Sequence, residues 1–302
     1  MARSAGAARG SKVTPARRIA AEFAASRIAL AGLALLALVL LAALFAPWIS
    51  PQNPYDLARL DLLDSRLPPG ARSAAGAIHW LGTDDQGRDM LSAILYGLRT
   101  SVAVGLTSTT LALAIGVSLG LAAAWFGGWL DALLMRIADL QLSFPSILIA
   151  LVLLAVLGQG LDKIVIALVA VQWAYYARTA RAAALVERRK EYVDAAVALA
   201  FSNARIIFRH LLPNCLPPLL VLATVQIAAA ITLEATLSFL GLGLPITQPS
   251  LGLLISNGFN YLLSGHYWIS AFPGIALLLA VVSINLVADR LGEVLDPHGP
   301  QR

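Results

Sequence analysis

The stretch IALAGLALLALVLLAALF, residues 28–45, contains no charged side chain and no side chain that donates or accepts a hydrogen bond. At 1.5 Å per helical residue it spans about 27 Å, close to the hydrocarbon thickness of a bilayer. Arg17, Arg18 and Arg27 precede it. A cleaved secretory leader is the competing reading, but a leader's apolar region is about 7–15 residues and ends at a small-residue cleavage site. The run is longer and no clear A-x-A site follows, so it reads as an uncleaved first membrane helix.

The rest of the chain agrees. Of 302 residues, 59% are hydrophobic and only 13% charged, against about 25% charged in a soluble domain. Mean hydropathy is +0.77. Further apolar spans are predicted at Ser101–Phe126, Phe144–Leu157, Ile164–Ala177, Pro217–Leu240 and Trp268–Ala288, two of them short or broken by Pro145 and Pro273. The expected fold class is therefore all-α integral membrane, with about six transmembrane helices.

Orientation follows from the basic residues. With the N-terminus inside, external segments hold Arg59, Arg66, Arg72, Arg88, Arg99 and Lys163, and the other sixteen of the 22 Lys and Arg residues are cytoplasmic. The positive-inside bias selects N-in, C-in. It also accounts for the net charge of +5 without a nucleic-acid partner. The expected organisation is a basic cytoplasmic tail (1–26), disordered or resting on anionic lipid, then a first membrane helix (27–47) and an external segment (48–100). A core (101–297) with a cytoplasmic loop (178–214) and a short tail (298–302) follow.

Several chemistries are set aside. Gly116-Val117-Ser118-Leu119-Gly120 fits G-x-S-x-G, but lies inside an apolar helix rather than at a strand-turn-helix elbow; its glycines read as a close helix-packing face. His79, His210, His266 and His298 are isolated, so no metal site is expected, and no lysine ends a phosphate-binding loop. The lone Cys215 can form no internal disulfide. No cofactor is expected. Thr83 and Gln86 have the spacing of a capping box, so Thr83-Asp84-Asp85-Gln86 reads as a helix start rather than an acidic metal cluster.

Two features remain. Glu234 falls within or at the end of the fifth span, where a carboxyl either faces a water-filled path or is solvated at the interface. The second is EYVDAAVALAFSNARIIFRHLLPN, residues 191–214, preceded by Arg178, Arg181, Arg188, Arg189 and Lys190. Val193, Ala196, Val197 and Ala200 recur at helical spacing. Ser202 and Asn203 cap a second piece, with Arg205 and Arg209 on one face, that Pro213 is expected to end. A charged cytoplasmic segment with a small-residue face suits docking to another protein; an amphipathic helix on the headgroups is the alternative.

Asp194-Ala195-Ala196, then Ala200, then His210-Leu211-Leu212-Pro213 resembles the EAA loop of ABC importer permeases, E-A-A-x3-G-x9-I-x-L-P. Glu191 and His210 resemble the C-type subunit of the dipeptide/oligopeptide branch. HWLGTDDQGRDMLSAILYGLRTS (79–101), MRIADLQLSFPSILIA (135–150), EATLSFLGLGLP (234–245) and NLVADRLGEVLDP (285–297) are similar to that branch too. Asp194 stands for Glu and Ala200 for Gly, so either Ala200 avoids positive φ or the strain is accepted.

The resemblance implies the type I ABC importer permease fold and a subunit with no nucleotide site of its own. It implies a second permease subunit, two cytoplasmic ATPase subunits, an external solute-binding protein, and peptides or similarly sized solutes. It makes Glu191, Asp194, Ala195, Ala196, Ala200, His210, Leu212 and Pro213 the ATPase-coupling residues and Glu234 a pathway candidate. A proton-coupled secondary transporter is the competing class.

Overall fold

The computed structural model describes residues 15–56, 60–73 and 76–295. The helix α1 (Pro15–Ala24) precedes α2 (Arg27–Ile49), which Ser26 caps by accepting from the Ala29 amide. Residues 15–24, expected as part of a disordered or lipid-bound tail, are thus helical, and an Arg290 guanidinium N–H donates to the Glu22 carbonyl. Residues 1–14 and the expected tail 298–302 lie outside the described residues.

Between α2 and the next helix, Ala71–Arg72 (β1) and Ile78–His79 (β2) pair antiparallel. Helices α3 (Met90–Phe126), α4 (Gly128–Leu142), α5 (Ser146–Leu157) and α6 (Leu161–Glu187) follow. Then come α7 (Glu191–Ala198), α8 (Asn203–Ile206), α9 (Leu212–Phe239), α10 (Leu251–Phe259) and α11 (Trp268–Leu295).

Four stretches are long and apolar enough to cross a bilayer: α2, α3, the continuous stretch Asn203–Phe239, and α11. The pair α4–α5, bent by 92° around Phe144 and Pro145, would make a fifth. The helix α6 is long enough at 27 residues, but Gln172, Arg178 and Arg181 dilute its apolar character. Pro273, expected to break the last span, sits inside the unbroken α11. Large apolar side chains face outward along the spans, among them Leu38, Leu44 and Leu278. In water such a surface would aggregate; in lipid it is the solvated face.

The pair α3–α6 makes the most extensive contact in the bundle. The glycines make it possible: a Cβ at Gly116 would lie 2.6 Å from the Tyr176 Cβ, and one at Gly120 2.9 Å from the Ala180 Cβ. Gly116 and Gly120 are the packing face the sequence predicts. Around this pair, Ala112, Val117 and Leu121 of α3 meet Tyr176 and Ala180 of α6 and Cys215 and Leu219 of α9 in one buried cluster.

Candidate functional site

The segment after α6 is a compact helical hairpin. Glu191 and Asp194 occupy the first turn of α7, where acids suit the positive end of the helix dipole. The helix ends in a Schellman turn: the Phe201 amide donates to the Ala196 carbonyl at 3.2 Å, and the Ala200 amide to the Val197 carbonyl at 2.9 Å. That geometry needs a left-handed residue, and Ala200 supplies it at φ 56°. The strain, about 1–2 kcal/mol for a residue with a Cβ, is accepted rather than passed to Asn203.

Ser202 then caps α8, its hydroxyl accepting from the Arg205 amide. Here the expected stop at Pro213 does not occur. The chain turns through one π-helical stretch, Ile207–Leu211, and continues into α9 with proline in its first turn. The wider π turn moves aside the carbonyl that a proline ring would strike. The hairpin is therefore fused to a membrane span.

It is also pinned to α6. The Tyr192 hydroxyl donates to Glu187 Oε2 at 2.8 Å, Lys190 Nζ bonds Glu187 Oε1 at 2.5 Å, and Asn214 Nδ2 reaches the Tyr192 oxygen at 3.3 Å. Burial, reinforced by the Glu187 carboxylate, pushes the Tyr192 pKa up to about 12, so the phenol remains a donor at physiological pH. Val193, Ala196 and Ile206 pack together beneath Trp125, Tyr192 and Phe201. The Phe201 ring lies between the Arg205 guanidinium, 4.2 Å from its centroid, and the His210 imidazole, stacked at 6.0 Å.

The eight residues nominated from sequence thus divide. Glu191, Asp194, Ala195, Ala200 and Pro213 are exposed. His210 and Leu212 are half-buried, His210 against Phe201. Ala196 faces inward at 4% exposure, so a bulky group there would disrupt the hairpin before it met any partner. The outward apolar residues are instead Val197 and Leu199, 55% and 67% exposed, with Phe208 at 63%. Treating Val193, Ala196, Val197 and Ala200 as one stripe hid this split. Val193 and Ala196 lie on the packed side of α7, Val197 on its outer side and Ala200 past its end.

Glu234 is fully buried, so the solvated-interface alternative does not hold. Three hydroxyls donate to its carboxyl at 2.8 Å each: Ser101 to Oε2, and Ser238 and Ser250 to Oε1. They come from α3, α9 and the start of α10, so one side chain ties three elements together. Among the described residues no basic side chain bonds it.

The stretch 79–101 departs most from the expectation drawn from sequence. Thr83 does not start a helix; it pairs with Asp89 in an isolated bridge, and Asp89 caps α3 by accepting from the Ser92 amide. Asp84 and Arg88 form a fully buried ion pair at 2.8 Å. The same guanidinium reaches the Ile246 carbonyl at 3.3 Å, and the Trp268 indole donates to the Thr83 carbonyl at 3.1 Å. This knot binds the segment between α2 and α3 to the loop before α10 and to α11. Among the described residues no three His, Cys, Asp or Glu side chains could hold a metal ion.

Two family models match the chain. The binding-protein-dependent transport system inner membrane component covers residues 116–298, and the N-terminal membrane domain of oligopeptide transport permease C covers residues 14–69. A Brucella suis protein provisionally named as a peptide transport system permease is 44% identical over 270 residues, 88% of this chain and 86% of its own. The di/tripeptide transport system permease DppC of Pseudomonas aeruginosa is 38% identical over 284 residues, 94% of this chain and 92% of its own. Among solved structures, a chain of the MetNI methionine ABC transporter in an inward-facing conformation superposes with a TM-score of 0.54. It is 22% identical and covers 68% of this chain and 98% of its own, a likeness of fold.

Proposed function

This chain belongs to the binding-protein-dependent transport inner membrane component family and is a permease subunit of an ABC importer; from that premise we propose that it carries peptides and that residues 191–213 dock its ATPase. Family membership sets aside the proton-coupled carrier. It also implies work alongside another permease, ATPase subunits that hydrolyse the ATP, and a binding protein. The finer assembly proposed is one second permease and two ATPases around six spans, with both termini inside.

One observation supports the docking assignment above the others: the hairpin that exposes Val197, Leu199 and Phe208 is fused to α9 and hydrogen-bonded to α6. A rigid body joined to two membrane helices transmits a push, whereas a helix lying loosely on lipid dissipates it. ATPase closure would move the hairpin as a lever.

Peptides are the proposed solutes because relatives 36–38% identical over 94% of this chain carry dipeptide or di/tripeptide names. The test is uptake of labelled di-alanine and tri-alanine in cells with and without the gene. ATP-dependent uptake that disappears with the gene supports the reading. Unchanged uptake of both, with uptake of some other solute lost, contradicts the peptide assignment.

A further inference from the structure

A groove of about 500 Å³ runs between the start of α5, the middle of α6, the middle of α9 and the C-terminal half of α11. Its polar lining includes Ser146, Gln172, Tyr175, Gln226, Thr232, Thr236 and Asn285, and among the described residues no Asp, Glu, Lys or Arg side chain lines it. A second cavity of about 350 Å³, lined by Leu142, Tyr175, Arg178 and Thr179, shares Tyr175 with it. We propose that the groove is this subunit's wall of the solute route and that Tyr175 is the neck between it and a cytoplasmic vestibule. The proposal deepens the importer reading and rests on it.

The groove differs from the lipid-facing surface around it. Exposed positions elsewhere on these helices include the apolar Val152 and Val156 on α5, Leu220 on α9 and Leu278 on α11. Thr232 meets its own hydrogen-bonding need through the Ala228 carbonyl, and Gln172 through the Gln226 carbonyl and Thr109. Tyr175, 38% exposed, and Asn285 have no partner for their hydroxyl and carboxamide among the described residues. Unpaired polar groups at membrane depth face protein or water rather than acyl chains. A seam between membrane helices is instead close-packed through small residues, and this groove is open.

Its ends differ too. On the external side the bundle is shut: a Cβ at Gly252 would meet the Ala235 backbone, one at Gly97 would lie 3.1 Å from Leu251 Cδ2, and Glu234 bonds Ser101 and Ser250. On the other side Tyr175 also lines the second cavity, where the Arg178 guanidinium lies 3.5 Å from Asp139. A solute therefore meets amides and hydroxyls first and fixed charges only beyond the neck. Such a wall matches short peptides, which carry many backbone donors and acceptors and a variable net charge. A wall without fixed charge holds the solute weakly enough to release it.

The test places single cysteines in a Cys215→Ala background of the assembled complex, in inside-out vesicles. The probe is the membrane-impermeant reagent (trimethylammonium)ethyl methanethiosulfonate. Thr232→Cys, Asn285→Cys and Tyr175→Cys should react at least about tenfold faster than the lipid-facing controls Val152→Cys and Leu278→Cys, because only a water-filled path admits a cation. Adding Tyr175→Ala to Thr232→Cys should speed its reaction further, since the neck is opened; an unchanged rate removes Tyr175 from that role. Groove cysteines as inert as the controls, in complexes that still hydrolyse ATP, overturn the route. Failure of ATPase subunits to join the wild-type permease would overturn the importer reading beneath it.

Discussion

Ser101 and Glu234, 133 residues apart, meet at 2.8 Å in a fully buried contact between α3 and α9. The carboxyl is a joint. With Ser238 and Ser250 it fixes the start of α10 to two long helices.

Replacing Glu234 by Ala strands the hydroxyl of Ser250. Ser101 and Ser238 are helical and have carbonyls four residues back to fall back on, but Ser250 has no such turn behind it. A buried unsatisfied hydroxyl costs about 1–3 kcal/mol. Glu234→Gln keeps an acceptor and should cost less. Thermal inactivation of the purified complex should therefore rank wild type, Gln, then Ala in falling stability. Equal stability of all three removes the joint.

Ala200→Gly tests the strained turn. Glycine adopts the left-handed conformation without the Cβ penalty of about 1–2 kcal/mol and loses part of that gain to backbone entropy. The variant should be as stable as wild type or more so, with coupling intact, and Ala200→Val should be clearly worse than both. Limited proteolysis of the 191–214 segment reads this directly. A destabilised glycine variant would show that the positive φ carries no strain.

Gly120→Leu tests the α3–α6 contact. The side chain has no room against Ala177 and Ala180, and overpacking of this kind typically costs about 1–3 kcal/mol. Permease abundance in the membrane should fall, while Gly274→Ala, where nothing lies within 4 Å of the added Cβ, should leave it unchanged. Equal abundance of the two would contradict the packing.

Arg88→Met leaves Asp84 buried without its cation. Breaking a buried pair from one side costs about 3–5 kcal/mol, whereas replacing both partners by apolar groups is often near neutral. The double variant Asp84→Leu with Arg88→Met should recover much of the loss in thermal stability. No recovery would show that the backbone bonds of the knot, rather than the ion pair, carry it.

What was legible in the sequence was what depends on local pattern. The run at 28–45 became α2, the glycine pair became part of the most extensive helix contact, and the departure at Ala200 marked a real left-handed turn. What stayed hidden depends on distant partners. Thr83 and Gln86 have capping-box spacing, yet Thr83 is committed to Asp89, Leu67 and the Asp64 carbonyl, and the helix begins only at Met90, capped by Asp89. The partner of Arg88 at Ile246 lies 158 residues away. Ala196 and Leu199 are both apolar, and only the fold of the hairpin decides that the first points inward and the second outward. The groove escaped notice because it draws isolated polar residues from four helices, none forming a motif.

Whether the 191–213 hairpin carries ATPase force into the membrane is tested most directly at Leu199. Burying an exposed leucine against a partner contributes about 1.5–3 kcal/mol, so losing it should weaken association by about 10- to 150-fold. Leu199→Arg changes a side chain that is 67% exposed, so the permease should still fold and reach normal abundance. The measurement is co-purification of the ATPase subunits with wild-type and Leu199→Arg permease at equal permease yield. The account predicts that the variant loses the ATPases and, with them, solute-stimulated ATP hydrolysis; full recovery of both at wild-type levels would contradict it.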